Sequence, residues 1–170
     1  VFGGGISGTA ANVNIPGGST VTVRHMTFNA PFAGAYVVNG STPTPSILNL
    51  SGSPLITVAN GVSADLKALI TGTGFSKEGA GTLTLAGGTG ANNVYSGLVT
   101  VNGGTLILKK NSDGQECITA DGVKINAGAT LQLPKKEHIN DAATVTCSGG
   151  IIQMVSSGGD TFASAAITKV

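Results

Sequence analysis

The sequence predicts an all-β chain whose strands stack as the coils of a solenoid, and three observations lead to this fold class. Helical periodicity is nearly absent, and residues 62–69 read as a strand or a single turn. Short runs of alternating apolar and polar residues are separated by Gly-Gly, Asn-Gly and Gly-Ser pairs, a pattern of many short strands joined by tight turns. The strands also recur about every 23–25 residues, which is the length of one β-solenoid coil.

The repeat is clearest where residues 99–108 align with residues 123–133, so that Val99 matches Val123 at the first strand and Leu106 matches Leu131 at the second. One such coil cannot bury its apolar side chains alone, so coils stack and pair their strands in parallel. About seven coils would form a rod. A β-sandwich has similar turn spacing but no reason to repeat in phase. We expect like residues to stack in columns: Leu83 with Leu106 and Leu131, and Val101 with Ile125.

Composition excludes several classes of protein. Only 10% of the 170 residues are charged, against about 25% in a typical soluble protein, and the net charge is +1. Aromatic residues make up 4% and tryptophan is absent, so a nucleic-acid interface is not expected. No apolar run approaches the roughly 18 residues of a membrane helix. With 41% hydrophobic residues, the chain has enough apolar side chains to form a core.

The domain organisation follows from the same pattern. Residues 1–170 are expected to form one solenoid domain, in which residues 1–18 are a Gly-rich arm that could pair with a neighbouring subunit. The chain opens at Val1 rather than Met, which we read as a processed chain or part of a longer one. The scarcity of charge suggests an exported protein, where a disulfide is permitted.

The titratable residues do not suggest catalysis. β-Helical polysaccharide enzymes need two or three clustered acids, but here nearly every carboxylate sits alone in a turn. Asp113, Glu116 and Asp121 share the loop 111–122, which we interpret as a solvated loop rather than a Ca²⁺ site. His25 and His138 lack partners at metal or triad spacing and are expected at the surface. No cofactor is expected.

Two pairs of lysines and one pair of cysteines are candidate sites. Lys109-Lys110 and Lys135-Lys136 follow the apolar strands of successive coils, so a solenoid would bring them to one edge. They either keep an aggregation-prone strand soluble or contact an anionic polysaccharide. Cys117 and Cys147 are either joined by a disulfide that ties the loop 111–122 to the next coil, or buried as two free thiols.

The ends of a solenoid expose unpaired strand edges that template further pairing. The sequence shows no capping helix at either end. We therefore expect self-association into a fibre, or the continuation of a longer solenoid. The residues predicted to contribute to these edges are Val1, Phe2, Ile6, Val13, Ile15, Ile167 and Val170.

One segment carries a family resemblance. Lys77-Glu-Gly79-Ala-Gly81-Thr-Leu-Thr-Leu85-Ala-Gly87 is followed by Tyr95-Ser-Gly97 and then by Val101-Asn102-Gly-Gly104-Thr-Leu106. From Phe75 to Leu108 the chain resembles the autotransporter-associated β-strand repeat, also called the passenger-associated transport repeat. Leu98 departs from the pattern, which usually has a small or polar residue there.

The resemblance implies a right-handed parallel β-helix in a large exported bacterial surface protein, with no enzymatic role for the repeat. The leading hypothesis is therefore a non-catalytic extracellular rod, as an adhesin-type passenger segment or as a filament subunit that assembles end to end. The alternatives are a polysaccharide-active β-helix enzyme and a module that binds an anionic surface glycan. Neither nucleic acid nor a membrane is an expected partner.

Overall fold

The computed structural model describes residues 11–29, 35–41, 43–87, 91–119, 121–136, 138–155 and 167–169. In these residues every regular element is a β-strand, and every pairing between named strands is parallel. The prediction of an all-β parallel solenoid is confirmed. Residues 62–69 contribute β5 and the start of β6, in agreement with their interpretation as strand.

The strands of the solenoid form three faces. The first face is a seven-stranded sheet whose strands follow one another along the chain. From one end of the rod to the other these strands are β1 (Asn12–Asn14), β3 (Ala35–Asn39), β5 (Ser63–Leu66), β8 (Thr82–Gly87), β11 (Gly104–Lys110), β13 (Ala129–Leu133) and β15 (Ile151–Met154). The strands make about six turns, close to the expected seven coils.

The second and third faces belong to one sheet that divides at a long strand. β4 (Ile47–Val58) pairs with β2 (Thr20–Phe28) along both of its halves. The first half of β4 continues the second face, through β6 (Leu69–Thr73) and β9 (Val94–Ser96). Its second half continues the third face, through β7 (Ser76–Glu78), β10 (Val99–Val101), β12 (Val123–Asn126), β14 (Val145–Ser148) and β16 (Ile167–Lys169).

The predicted register is confirmed. Leu106 pairs with Leu83 on one side and with Leu131 on the other, and Val101 pairs with Ile125. All five side chains are fully buried. Alternate residues of each strand point inward, so stacking places a buried apolar side chain over its counterpart one turn away and removes both from water.

Aromatic side chains fill the wider parts of the core. Phe28 lies 5.4 Å from Tyr36, and Phe75 lies 6.3 Å from Tyr95, measured between ring centroids. All four residues are buried and fill the core. The hydroxyl groups still find acceptors: Tyr36 donates to the Asn29 carbonyl at 2.6 Å, and Tyr95 to the Cys117 carbonyl at 2.8 Å.

Candidate functional site

A lysine is buried inside the corner between the third and first faces. Lys77 is fully buried in β7, pairing with Ile56 on one side and Val101 on the other. Its Nζ donates hydrogen bonds to the carbonyl oxygens of Gly79 at 2.6 Å, Gly81 at 2.6 Å and Gly103 at 2.8 Å. Burial lowers the pKa of Lys77 to about 8, and the neighbouring Glu78 partly opposes this shift.

Glycines make room for this arrangement. A Cβ at Gly81 would lie 2.2 Å from the Ala59 oxygen, in the equivalent corner one turn earlier. A Cβ at Gly104 would lie 2.3 Å from the Gly81 oxygen and 2.7 Å from Lys77 Nζ. Gly104 also has a φ of 61°, a conformation that favours glycine. Successive corners therefore touch backbone to backbone around the ammonium group.

The outside of the same corner carries a ladder of polar side chains. Asn102 Nδ2 donates to Glu78 Oε1 at 2.5 Å, and Asn126 Nδ2 donates to Asn102 Oδ1 at 2.6 Å. The three residues occupy equivalent positions, since Val101 pairs with both Lys77 and Ile125. The ladder links three successive turns and occupies the Glu78 carboxylate, which is therefore not an isolated acid.

The predicted lysine edge is only partly assembled. Lys109 and Lys136 are exposed, and Lys135 is half-buried with Nζ donating to the Asn111 carbonyl at 2.5 Å. Lys110 is buried instead, and its Nζ donates to the Ala91 carbonyl at 2.6 Å. Lys110 is therefore removed from the set of lysines that could contact an anionic glycan.

Lys67, which the sequence argument did not select, joins this edge. It is exposed and follows Leu66, which pairs with Leu85; Leu85 in turn pairs with Leu108, the residue before Lys109. The signal that could have found Lys67 is its phase relative to Lys109, two turns later along the same face.

Of the two alternatives for the cysteines, the structure shows free thiols and no disulfide. Cys117 and Cys147 are separate thiols that lie on different faces of the solenoid. Cys117 is fully buried under the second face, with its Sγ 3.8 Å from the Leu85 carbonyl. Cys147 is half-buried on the third face, where it pairs with Ile125 and its Sγ donates to the Gly150 carbonyl at 3.1 Å. Cys147 is in phase with Val101 and Ile125, whereas Cys117 lies in the loop 111–122 outside the repeat.

The second face has a buried polar cluster beneath it. Asn93 Nδ2 and the Tyr95 hydroxyl both donate to the Cys117 carbonyl, at 3.1 and 2.8 Å. Burial raises the pKa of Tyr95 and lowers that of Lys110. His138 is also fully buried here, with its carbonyl accepting from Cys117 N at 2.7 Å, so the expectation of a surface position is wrong. His25 is exposed as expected, and its Nδ1 accepts from Leu55 N at 3.2 Å.

Three of the described carboxylates accept hydrogen bonds from nearby amide groups. Asp121 Oδ2 accepts from Gly97 N at 2.7 Å, and Glu116 Oε1 accepts from Asn140 Nδ2 at 3.0 Å. Asp113 Oδ1 accepts from Lys136 N at 3.4 Å. Within the described ranges, no three His, Cys, Asp or Glu side chains are grouped closely enough to hold a metal ion.

A shallow groove crosses the corner between the second and third faces. Its volume is about 370 Å³, and Gly74 and Phe75 lie between a wall at residues 52–55 and another at residues 96–98. Leu55 and Leu98 contribute partly exposed side chains to these walls. Leu98, which departs from the repeat pattern, therefore lies on the surface and not in the core.

The predicted edge residues have mixed placements. Val13 lies in β1, the first strand of the first face, and is half-buried. Ile15 is buried and belongs to the core, so it is not an edge contact. The backbone of Ile167 begins β16 at the border of the third face. The remaining predicted edge residues lie outside the described part of the chain: Val1, Phe2, Ile6 and Val170.

The sequence argument did not recognise Lys77 as buried. Its phase was a usable signal, because Lys77 lies one repeat before Val101 and two repeats before Ile125, both inward positions. A charged residue in phase with inward positions predicts an internal hydrogen-bonding partner set.

Comparison with known proteins gives one match. Residues 75–108 match the family model described as Passenger-associated-transport-repeat. No curated protein and no solved structure matches the chain. Among the residues that the structure describes, no helix has the length and apolarity needed to cross a membrane. The matched segment runs from the residue after Gly74 to Leu108, and so includes β7 to β10, most of β11, Lys77 and all three of its carbonyl partners.

The repeat and the β-solenoid together fit the passenger-like β-helix that the resemblance implied. The K-x-G-x-G part of the pattern coincides with the buried lysine and its two nearest carbonyl acceptors, Gly79 and Gly81. The segment 75–108 is therefore identified as one passenger-associated transport repeat.

Proposed function

We propose that this chain is a non-catalytic, rod-forming segment of an exported bacterial surface protein. The observation that carries this proposal is the parallel stacking of about six turns of the solenoid. The inward column of the first face pairs Val38, Leu66, Leu85 and Leu108 in successive turns, and a side-chain ladder connects the outer surfaces of three successive turns. Such a structure maintains a fixed length and shape without an active centre.

The family resemblance supports the exported, surface-exposed part of this proposal. The resemblance associates the repeat with passenger segments that are exported to the cell surface. A surface low in charge, with only 10% charged residues, also fits an extracellular rod. The proposal has two versions: the rod presents an adhesive surface, or it joins a filament.

The end-to-end version rests on the column that contains Leu85 and Leu108. At one end of the described first face, Val13 pairs with Val38 and is half-buried. At the other end, Met154 pairs with Leu133 in the same column, yet 52% of its surface is exposed. An apolar residue in an inward position needs a covering coil, which another copy of this solenoid or a further coil of the same protein would supply.

The test is assembly of the whole chain as a function of concentration. We expect light scattering to show larger particles, and micrographs to show rods longer than one copy, as concentration rises. Met154→Lys places a charge over the column and should prevent this growth, whereas Gln153→Lys, on the outward side of the same strand, should not. Monomers at all concentrations would exclude the filament version. An enzymatic role would require activity on acidic polysaccharides that Asp113→Asn or Asp121→Asn abolishes.

A glycan-binding role is a second candidate, favoured by the exposed lysines at one edge. Lys67, Lys109 and Lys136 are exposed there, together with half-buried Lys135. We expect salt-sensitive retention on an anionic polysaccharide column, lost when these four lysines are replaced by glutamine. Lys124→Gln removes one lysine from the third face and is the control. Retention that is unchanged in the fourfold variant would exclude this role.

A further inference from the structure

Lys77 occupies a position that is otherwise apolar. The inward column of the third face contains Ile56, Lys77, Val101, Ile125 and Cys147, linked by direct strand pairing. Burying an ammonium group is unfavourable unless hydrogen bonds replace its water. An ammonium carries three N–H donors, and three carbonyl oxygens within 2.8 Å accept from Nζ.

The three acceptors come from two different turns. Gly79 and Gly81 belong to the corner that directly follows Lys77. Gly103 belongs to the next corner, one turn further along the solenoid. The set of acceptors is therefore complete only when the following turn has folded onto this one.

We propose that Lys77 is an internal latch that makes two successive corners of the solenoid open and close as one unit. Backbone hydrogen bonds around Lys77 also link the two corners. Thr105 N donates to the Gly81 carbonyl at 3.2 Å, and Asn102 N donates to the Lys77 carbonyl at 2.9 Å. Separating the corners would break these two hydrogen bonds together with the bond from Nζ to Gly103.

The latch differs from simple filling of space by a lysine stem. A stem that only fills the core would stabilise the whole molecule without linking particular amides. If Lys77 is a latch, the backbone amides of Thr82 and Thr105 exchange their hydrogens only when the Lys77 amine also becomes exposed. These two amides lie on opposite sides of Lys77. Thr82 N donates to the Val62 carbonyl at 2.9 Å. Hydrogen exchange at the Thr82 amide therefore reports the opening of the corner that contains Gly79 and Gly81. This inference concerns the fold and does not depend on the proposed function.

The test compares native-state hydrogen exchange in Lys77→Met and the wild type. We expect the amides of Thr82 and Thr105 to exchange at least tenfold faster in Lys77→Met. The amide of Val123, which donates to Thr144 in a different corner, should change less than threefold. Lys124→Met removes a half-exposed lysine from the third face and should leave all three amides unchanged. An equal change at all three amides, or no change, would overturn the latch.

The wild-type protein supplies a second measurement if Lys77→Met does not fold. Acetylation of amines under native conditions modifies Lys77 only when its corner opens. The opening constant obtained from Lys77 labelling should agree with that from Thr105 exchange within threefold, whereas Lys124 should react at the rate of an exposed amine. Lys77 labelling at the rate of Lys124, or a tenfold disagreement with Thr105, would contradict the proposal.

Discussion

Two corners between the third and first faces differ in what lies beneath them. At the corner after β7, an ammonium group is buried, and Gly79 and Gly81 are pressed against backbone atoms of the preceding turn. Gly104, in the next corner, is pressed in the same way against the Gly81 carbonyl. At the corner after β12, the equivalent inward residue is Ile125, and Gly128 has no atom within 4 Å of the place where a Cβ would lie. Both corners use glycine, but only the first needs it for close contact between turns.

This difference separates two reasons for glycine. Gly104 has a φ of 61° and Gly128 a φ of 79°, so both occupy the left-handed conformation that strains other residues. Only Gly104 has, in addition, backbone atoms of the preceding turn where its Cβ would be. Both glycines meet the local backbone requirement, and the packing requirement applies only to Gly104, which lies one corner after Lys77 and directly against its ammonium group.

The largest expected effect separates these two requirements. Gly104→Ala should lower the free energy of unfolding by about 3 kcal/mol or more, because backbone strain and overpacking act together. Gly128→Ala should cost only about 1 kcal/mol, from backbone strain alone. Urea unfolding followed by circular dichroism measures both. Equal losses would show that the close approach of the two corners does not matter.

The next effect concerns the lysine. Lys77→Met leaves buried carbonyl oxygens without their donor, at about 1–3 kcal/mol for an unsatisfied group, although it also removes the cost of burying a charge. We expect a net loss of about 2 kcal/mol in urea unfolding. Ile125→Leu, at the equivalent position of the other corner, should cost less than about 1.5 kcal/mol. A Lys77→Met protein as stable as the wild type would mean that the two corners do not differ in this way.

The pH dependence of stability should also differ. Burial places the pKa of Lys77 at about 8, below the 10.5 of the unfolded chain. Between these values the unfolded state binds more protons than the folded state, so this group makes the free energy of unfolding rise with pH. We expect the wild type to gain stability relative to Lys77→Met from pH 8 to pH 10.5. A constant or shrinking difference across that window would contradict the assignment.

The smallest expected effect lies outside the corner. Asn126→Ala removes one step of the ladder from Glu78 through Asn102 and should cost about 0.5–1 kcal/mol, as for an exposed hydrogen bond. Asn60→Ala, at an exposed position in the corresponding corner of an earlier turn, should be nearly neutral. A larger loss at Asn60 than at Asn126 would remove the ladder as a stabilising contact between turns.

Much of the fold could be predicted from the sequence, because a solenoid repeats its local rules. The alignment of one repeat with the next predicted the pairing of Val101 with Ile125 and of Leu106 with Leu131. The same column continues from Ile125 to Cys147. Prediction failed where the chain leaves the repeat: Cys117 and His138 lie in or beyond the loop 111–122, and their burial follows from long-range packing under the second face.

The lysines show, residue by residue, what the sequence could predict and what it could not. Lys109 and Lys110 are adjacent in the sequence, and the strand alternation places the first outside and the second inside. The sequence argument treated them as one basic pair. The alternation of inward and outward residues can be seen in the sequence. The acceptor for Lys110 cannot, because the Ala91 carbonyl lies far earlier in the chain and is supplied by the preceding turn.

The sequence by itself determined the coil length, the parallel register and the membership of residues 75–108 in a repeat family, because each depends on periodic local patterns. Tertiary structure alone decided that Lys77 is held by three carbonyls from two turns, and that the two cysteines lie on different faces. A hydrogen-bond partner from another turn is set by how the coils stack in space, and local sequence carries no record of that distance.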